Sequence, residues 1–159
     1  MDLILRKLKE EDAKKSYLWR RDDEIWKFTI SRPPEKITYE IEKKWIQKVL
    51  RKKDERRFAI CVGEKMEYIG NVQLTNIDKS SAEFHIFIGK KEYHNMGLGT
   101  KATKLILDYA TKELKLNIIY LYVNKNNIAA IKSYKKCGFY EVEKNEQIIK
   151  LSILLKNEY

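Results

Sequence analysis

Apolar and polar positions along this chain change their period twice. In 38–53, Ile41, Trp45, Val49 and Leu50 recur at spacings near 3.6 with lysines opposite, which predicts an amphipathic helix. Upstream, Leu3, Ile4, Leu5 and Leu8 predict a short strand, and 10–20 reads as a helix with Ala13, Tyr17 and Leu18 on one side. From Arg57 the period falls to two. RFAICV, then NVQLT led in by Tyr68 to Gly70, then AEFHIFIG read as strands, and in the last Phe84, Ile86 and Ile88 alternate with Glu83, His85 and Phe87. Turns at Gly63 and at 78–81 make 57–89 an antiparallel meander of three strands.

Beyond a loop at 90–96 the order becomes helix, strand, helix, strand. Leu98, Ala102, Leu105, Ile106, Tyr109 and Ala110 mark a helix. IIYLYV at 118–123 is the continuous apolar run expected of a strand covered on both faces. A helix over 127–137 ends where Gly138 suits a left-handed cap, and QIIKLSILL is a final strand. A right-handed crossover would set IIYLYV parallel to AEFHIFIG. The expected fold is α/β of the α+β type: a mixed, mostly antiparallel sheet of six or seven strands with helices on both faces. The pairs Asp22-Asp23 and Pro33-Pro34 read as breaks.

Composition adds limits. The 159 residues suit a single domain over 1–159. No apolar run approaches the roughly 18 residues of a membrane span, and the N-terminal stretch is too short for a signal-peptide core. Two cysteines, Cys61 and Cys137, are too few for a disulfide framework or a zinc site, so a cytoplasmic chain with free thiols and no metal is expected. Lys and Arg number 33 against 23 Asp and Glu, a formal charge of +10 that favours anionic partners. The segment 43–57 is densest, with eight basic residues against Asp54 and Glu55.

Chemistry concentrates in two stretches. His94-Asn95-Met96-Gly97-Leu98-Gly99-Thr100 follows a strand and opens a helix. Glycine lets the backbone approach a ligand, and the first N–H groups of a helix lack internal partners. Together they predict a pyrophosphate cradle. It is not a dinucleotide fingerprint, because Ala102 takes the third glycine position, and it lacks the G-K-[ST] of a Walker loop. In the second stretch Asn127 and Tyr134 stand seven apart on one helix face, with Ala130 and Ile131 between them.

These two stretches resemble the GNAT superfamily of acyl-CoA-dependent N-acetyltransferases. The turn written Q/R-x-x-G-x-G/A is matched by His94, Gly97 and Gly99, with His94 departing from the usual Gln or Arg. The pattern N-x-x-A-x-x-x-Y-x-x-x-G-F is matched by Asn127, Ala130, Tyr134, Gly138 and Phe139. The resemblance implies that acetyl-CoA lies where the two central strands splay apart. Backbone groups of Ile86, Phe87 and Ile88 would bond its pantetheine, and backbone N–H groups of 95–100 its pyrophosphate. Asn127 would bond the cofactor near the pantetheine, and Tyr134 would face the thioester sulfur. A primary amine then attacks the thioester directly. Glu83 is the first choice of base, and His85 on the same face a second. A backbone N–H near Phe87 or Ile88 would stabilise the oxyanion.

The acceptor is less determined. W-R-x-D-x-E-I at 19–25 is similar to acetyltransferases of ribosomal-protein N-termini, nucleotide-linked amino sugars and polyamines, and ERRFAI with SAEFHIFI resembles spermidine acetyltransferases. Asp22, Asp23 and Glu24 could form a small acidic pocket for a polyamine, while the net charge points to an anionic carrier. Trp19, Trp26 and Phe28 suit either stacking or the core. The expected partners are acetyl-CoA and a small amine or peptide N-terminus, with a homodimer left open. A non-catalytic acyl-CoA sensor and a basic nucleic-acid module built on 43–57 are the alternatives.

Overall fold

A computed structural model describes residues 1–28 and 36–156, so the Pro33-Pro34 break lies outside the described residues. Strands β1 (Leu3–Lys7), β2 (Arg56–Val62), β3 (Glu67–Thr75), β4 (Ser81–Ile88), β5 (Ile118–Asn124), β6 (Tyr140–Lys144) and β7 (Ile148–Leu154) form one sheet in the order β1-β2-β3-β4-β5-β7-β6. All neighbours run antiparallel except β4 and β5, which are parallel as the crossover predicts. Helices α1 (Ala13–Arg20), α2 (Tyr39–Leu50), α3 (Leu98–Lys112) and α4 (Ile128–Lys136) complete it. No helix among the described residues is long and apolar enough to cross a membrane.

The sheet is two-faced because side chains alternate along each strand. One face carries Phe84, Ile119, Leu121 and Leu151, which pack with Leu98, Ala102, Ile106 and Ala110 of α3 and with Ile131 and Tyr134 of α4. The other carries Ala59, Cys61, Tyr68 and Phe87, packed under Ala13 and Trp19 of α1 and Ile46 of α2. Among the described residues this second layer takes its strand residues from β2, β3 and β4 and none from β5, which corrects the expectation that β5 is covered on both sides. Ile119, Leu121 and Val123 are buried, while Tyr122 keeps 43% of its surface exposed.

Two helices are turned relative to their expected seams. In α1 the buried positions are Ala13, Ser16 and Trp19, and Leu18 is exposed. In α2 they are Glu42, Ile46 and Val49, and Leu50 is exposed. The reason is an ion pair between the helices: Arg20 Nε lies 3.0 Å from Glu42 Oε1, with Glu42 only 1% exposed. Burying that carboxylate beside its cation turns α2 by about one position. A side-chain cap from Thr38 Oγ1, which accepts from Ile41 N–H at 3.2 Å, starts the helix.

The strand β6 has no counterpart in the expected element list. Its residues are all exposed, so no buried-face alternation marked it.

Candidate active site

The site begins where β4 and β5 part. They pair over only Ser81–Ile118, Ala82–Ile119 and Glu83–Tyr120, and beyond that β4 stays with β3 while β5 turns towards β7. Gly89 N–H donates to Ile69 C=O at 2.7 Å. Hydrogen-bonded pairs alternate along an antiparallel ladder, so Asn71/Phe87 and Gln73/His85 exchange bonds. Phe84, Ile86 and Ile88 therefore turn their N–H and C=O groups towards the gap. This narrows the backbone set expected over Ile86, Phe87 and Ile88: the main chain of Phe87 is committed to β3, and Ile88 rather than Phe87 can present an N–H to a developing oxyanion. The carbonyl of Ile88 is already taken, because His94 Nε2 bonds it at 2.8 Å. His94 thus anchors the turn to the end of β4.

The turn itself has the shape of a cradle. Asn95 (φ +61°) and Gly97 (φ +75°) are left-handed, which bends consecutive N–H groups to one side before α3 begins. Gly97 precedes the helix and no side chain caps it, so the N–H groups of Leu98, Gly99 and Thr100 are open donors at the positive end of a 15-residue helix. A Cβ built on Gly97 or Gly99 meets nothing within 4 Å. Upstream, Glu67 accepts from Lys90 Nζ and, at 2.9 Å, from Tyr93 OH, which pins the approach to β3. Thr100 Oγ1 and Ser133 Oγ, 2.8 Å apart, tie α3 to α4 beneath the turn.

Asn127 caps α4: its Oδ1 accepts from Ala130 N–H at 3.3 Å, which leaves its amide NH₂ facing the cleft. Tyr134 stands two turns on, held edge-on to Phe84 (5.8 Å) and Phe139 (5.9 Å). Burial pushes its phenol up to about 12, so it stays protonated and can donate. Gly138 (φ +106°) closes the helix as expected.

On the opposite face, Glu83 Oε2 lies 2.9 Å from His85 Nε2, and Asn76 Nδ2 donates to Glu83 Oε1 at 3.3 Å. A carboxylate only accepts, so His85 Nε2 carries the hydrogen and Nδ1 is the basic nitrogen of the neutral ring. Desolvation lowers the His85 pKa from its ordinary value and Arg57 acts in the same sense, against Glu83 and Glu55. Next to this pair, Arg20 stacks on Trp45 (4.3 Å) and Trp26 (5.3 Å).

One continuous cleft of about 930 Å³ joins these parts. Its wall includes Glu83, His85, Ile86, Ile88, His94, Asn95, Gly97, Gly99, Thr100, Asn127 and Tyr134, so the predicted residues converge. Met96 does not line it and is half exposed. Trp26 and Phe28 line it, whereas Trp19 is a core ring seated where Gly89 has no Cβ: a Cβ there would come within 2.1 Å of the indole. The acidic pocket expected from Asp22, Asp23 and Glu24 is partly neutralised. Lys91 Nζ sits 2.9 Å from Asp22 and 3.1 Å from Glu24, and of the three only Glu24 reaches the cleft.

A family model for the acetyltransferase (GNAT) domain matches residues 2–140. The chain belongs to this family. It is an N-acetyltransferase, and acetyl-CoA is its co-substrate. Spermidine N(1)-acetyltransferase of Escherichia coli (strain K12) is 34% identical over 136 residues, which cover 85% of this chain and 71% of that protein. The probable N-acetyltransferase YjcK of Bacillus subtilis (strain 168) is 29% identical over 147 residues, 87% of this chain and 81% of the relative. The crystal structure of spermidine N-acetyltransferase from Vibrio cholerae in complex with CoA and spermine superposes with a TM-score of 0.85 at 27% identity, over 96% of this chain and 95% of that one.

The cleft fits the co-substrate of a GNAT enzyme on three counts: open N–H donors at a helix start, glycines with empty space where side chains would stand, and a strand edge with unpaired backbone groups. Gln73 and Asn76 were not singled out from sequence: they reach the site from β3 and the turn after it, and no motif links them. Arg20, the arginine of the W-R-x-D-x-E-I pattern, reaches it from α1.

Proposed function

We propose that this enzyme acetylates a primary amine of a linear polyamine, drawn in on the α1–α2 face while acetyl-CoA lies on the α3–α4 face. The observation that carries this reading is the split between β4 and β5. It sets a base pair, Glu83 and His85, on one face of the sheet and a phenol donor, Tyr134, on the other. An amine and a thioester meeting through that gap would have an acceptor for the proton on one side and a donor for the departing sulfur on the other.

The thioester supplies the activated acetyl group. Leu98, Gly99 and Thr100 hold the diphosphate through main-chain N–H groups, with the left-handed Asn95 and Gly97 shaping the bend, and the freed N–H and C=O groups of β4 hold the pantetheine. The Glu83–His85 pair accepts the ammonium proton as the amine attacks, at His85 Nδ1 or through one water. Ile88 N–H faces the carbonyl oxygen as charge develops on it. Tyr134, with its raised pKa, donates a hydrogen bond to the leaving thiolate. Complete proton transfer is uphill, because a free thiol has a pKa of roughly 8.5.

Spermidine is favoured over an anionic carrier for two reasons. Named relatives act on it. The acceptor end of the cleft also holds the carboxylates Glu24 and Glu83 and the aromatic rings of Trp26 and Phe28. The net charge of +10 is a property of the whole surface, and Lys132 and Lys136 contribute to it beside the cofactor cradle rather than the acceptor mouth. We read the enzyme as cytoplasmic, in keeping with two free thiols. The test is thiol release from acetyl-CoA against a panel of spermidine, an amino sugar, an aminoglycoside and an N-terminal peptide. Turnover confined to the amino sugar or the peptide would sink the polyamine reading.

A further inference from the structure

On the face where α1 and α2 leave β5 to β7 uncovered, register aligns side chains in rows across the sheet. Glu83 pairs with Tyr120, Tyr122 with Lys150, and Lys150 with Glu143. The rings of Tyr120 and Tyr122 stand 6.0 Å apart at 80°, forming a corner of two π faces. The Lys150 ammonium sits in that corner, 5.0 Å from one ring centroid and 5.7 Å from the other. Among the described residues, the one carboxylate within 4.0 Å of it is Glu143, at 3.7 Å.

This is the environment that binds an organic ammonium. The carboxylate that pairs with Lys150 holds it weakly: Glu143 is 68% exposed and 3.7 Å away, so their ion pair contributes little stability. The corner also adjoins the reaction site. Tyr122 lines the same cleft as Glu83 and His85, and Tyr120 is the register partner of Glu83. A chain whose primary amine stands at Glu83 and runs along β5 crosses Tyr120 and reaches Tyr122 next.

We propose that the Tyr120–Tyr122 corner is a subsite for a second, distal ammonium of the acceptor, and that Lys150 is a tethered competitor which fills it until the acceptor arrives. The inference rests on the polyamine reading for the identity of its ligand. Displaced, the flexible Lys150 stem turns towards Glu143 and solvent, where little is lost. A monoamine gains nothing from the corner, and an acceptor with two or more charges must outcompete the lysine. The competition therefore sets how strongly the enzyme prefers polyamines.

The experiment is a kinetic cycle of wild type, Lys150→Met, Tyr122→Leu and the double variant, with spermidine and n-butylamine as acceptors. Methionine keeps the stem and removes the charge, and neither Tyr122 nor the half-buried Lys150 belongs to the hydrophobic core. Lys150→Met is expected to lower the KM for spermidine about twofold to fivefold, the range of an exposed cation–π contact, with kcat and the butylamine KM unchanged. In the Tyr122→Leu background that gain should vanish. No gain, an equal gain with butylamine, or the full gain persisting without Tyr122 would each overturn the proposal, the last by reducing Lys150 to a distant repulsive charge. Should wild type release no thiol with spermidine, the polyamine reading falls by itself. The subsite is then judged by tetramethylammonium: shifts of the tyrosine ring NMR signals in Lys150→Met that are absent from the double variant support it, and their absence overturns it.

Discussion

The two sides of the sheet solve different problems with different materials. The α3–α4 side holds a ligand through main chain: a left-handed bend, the start of one helix and a strand edge left unpaired. Side chains there mostly brace, as His94 does on Ile88, Glu67 on Lys90 and Tyr93, and Thr100 on Ser133. The α1–α2 side is built from side chains brought from several separate elements, and its rigidity comes from a buried ion pair and stacked cations. Backbone donors read a group present in every acyl-CoA, so they can stay fixed. Side chains can change one at a time, which suits the face that must choose an amine.

The contrast can be broken at its strongest point first. Glu42→Ala leaves Arg20 buried without its carboxylate and should cost about 3–5 kcal/mol, the penalty of halving a buried pair, measured by urea denaturation. A loss near zero would mean that the acceptor face does not depend on that pair. Next, Tyr134→Phe keeps the ring packed on Phe84 and removes the donor, so kcat should fall roughly 100-fold, the lower range of proton-transfer assistance, with acetyl-CoA affinity unchanged. An unaltered kcat would remove Tyr134 from the chemistry.

Gly99→Glu places a carboxylate in the open space of the cradle, and acetyl-CoA binding by titration calorimetry should weaken about 30-fold, or ~2 kcal/mol. The KM for the amine should not follow. If both change together, the two sides are less separate than the sheet suggests.

The smallest effect concerns pH. The folded imidazole of His85 sheds its proton more readily than a free one, so the competent neutral form persists at pH 7 and is lost as the pH falls below the ordinary histidine value. The acid limb of kcat/KM should therefore lie on the low side of that value, and His85→Gln should shift it further down towards the carboxylate range. A limb left in place would assign the proton to another group.

The same contrast explains what could be read from the chain alone. The cradle and the Asn127–Tyr134 face lie in short contiguous stretches, so spacing was enough to place them on one side of a helix or at its start. The splay of β4 and β5 followed from the crossover and the resemblance. The turn of α2 did not follow, because Leu50 and Glu42 look misassigned until Arg20 is seen to arrive from α1. Strand β6 escaped because a solvated edge strand buries no stripe to betray its period. Lys91 closing on Asp22 and Glu24 was equally hidden, since it links residues far apart in the chain.

By itself, then, the order of residues determined the strands and helices whose buried face repeats with a regular period, the bend that presents N–H groups to a diphosphate, and the helix face bearing Tyr134. Only the folded chain decided which carbonyl His94 would take, which of Phe87 and Ile88 would face the gap, how Glu83 and His85 share a proton, and that Lys150 would rest between two tyrosines. Local patterns report on bonds between near neighbours and on burial of one face. Ladder phase, long-range ion pairs and ring contacts arise only when distant segments pack, and each is settled by the register of the sheet.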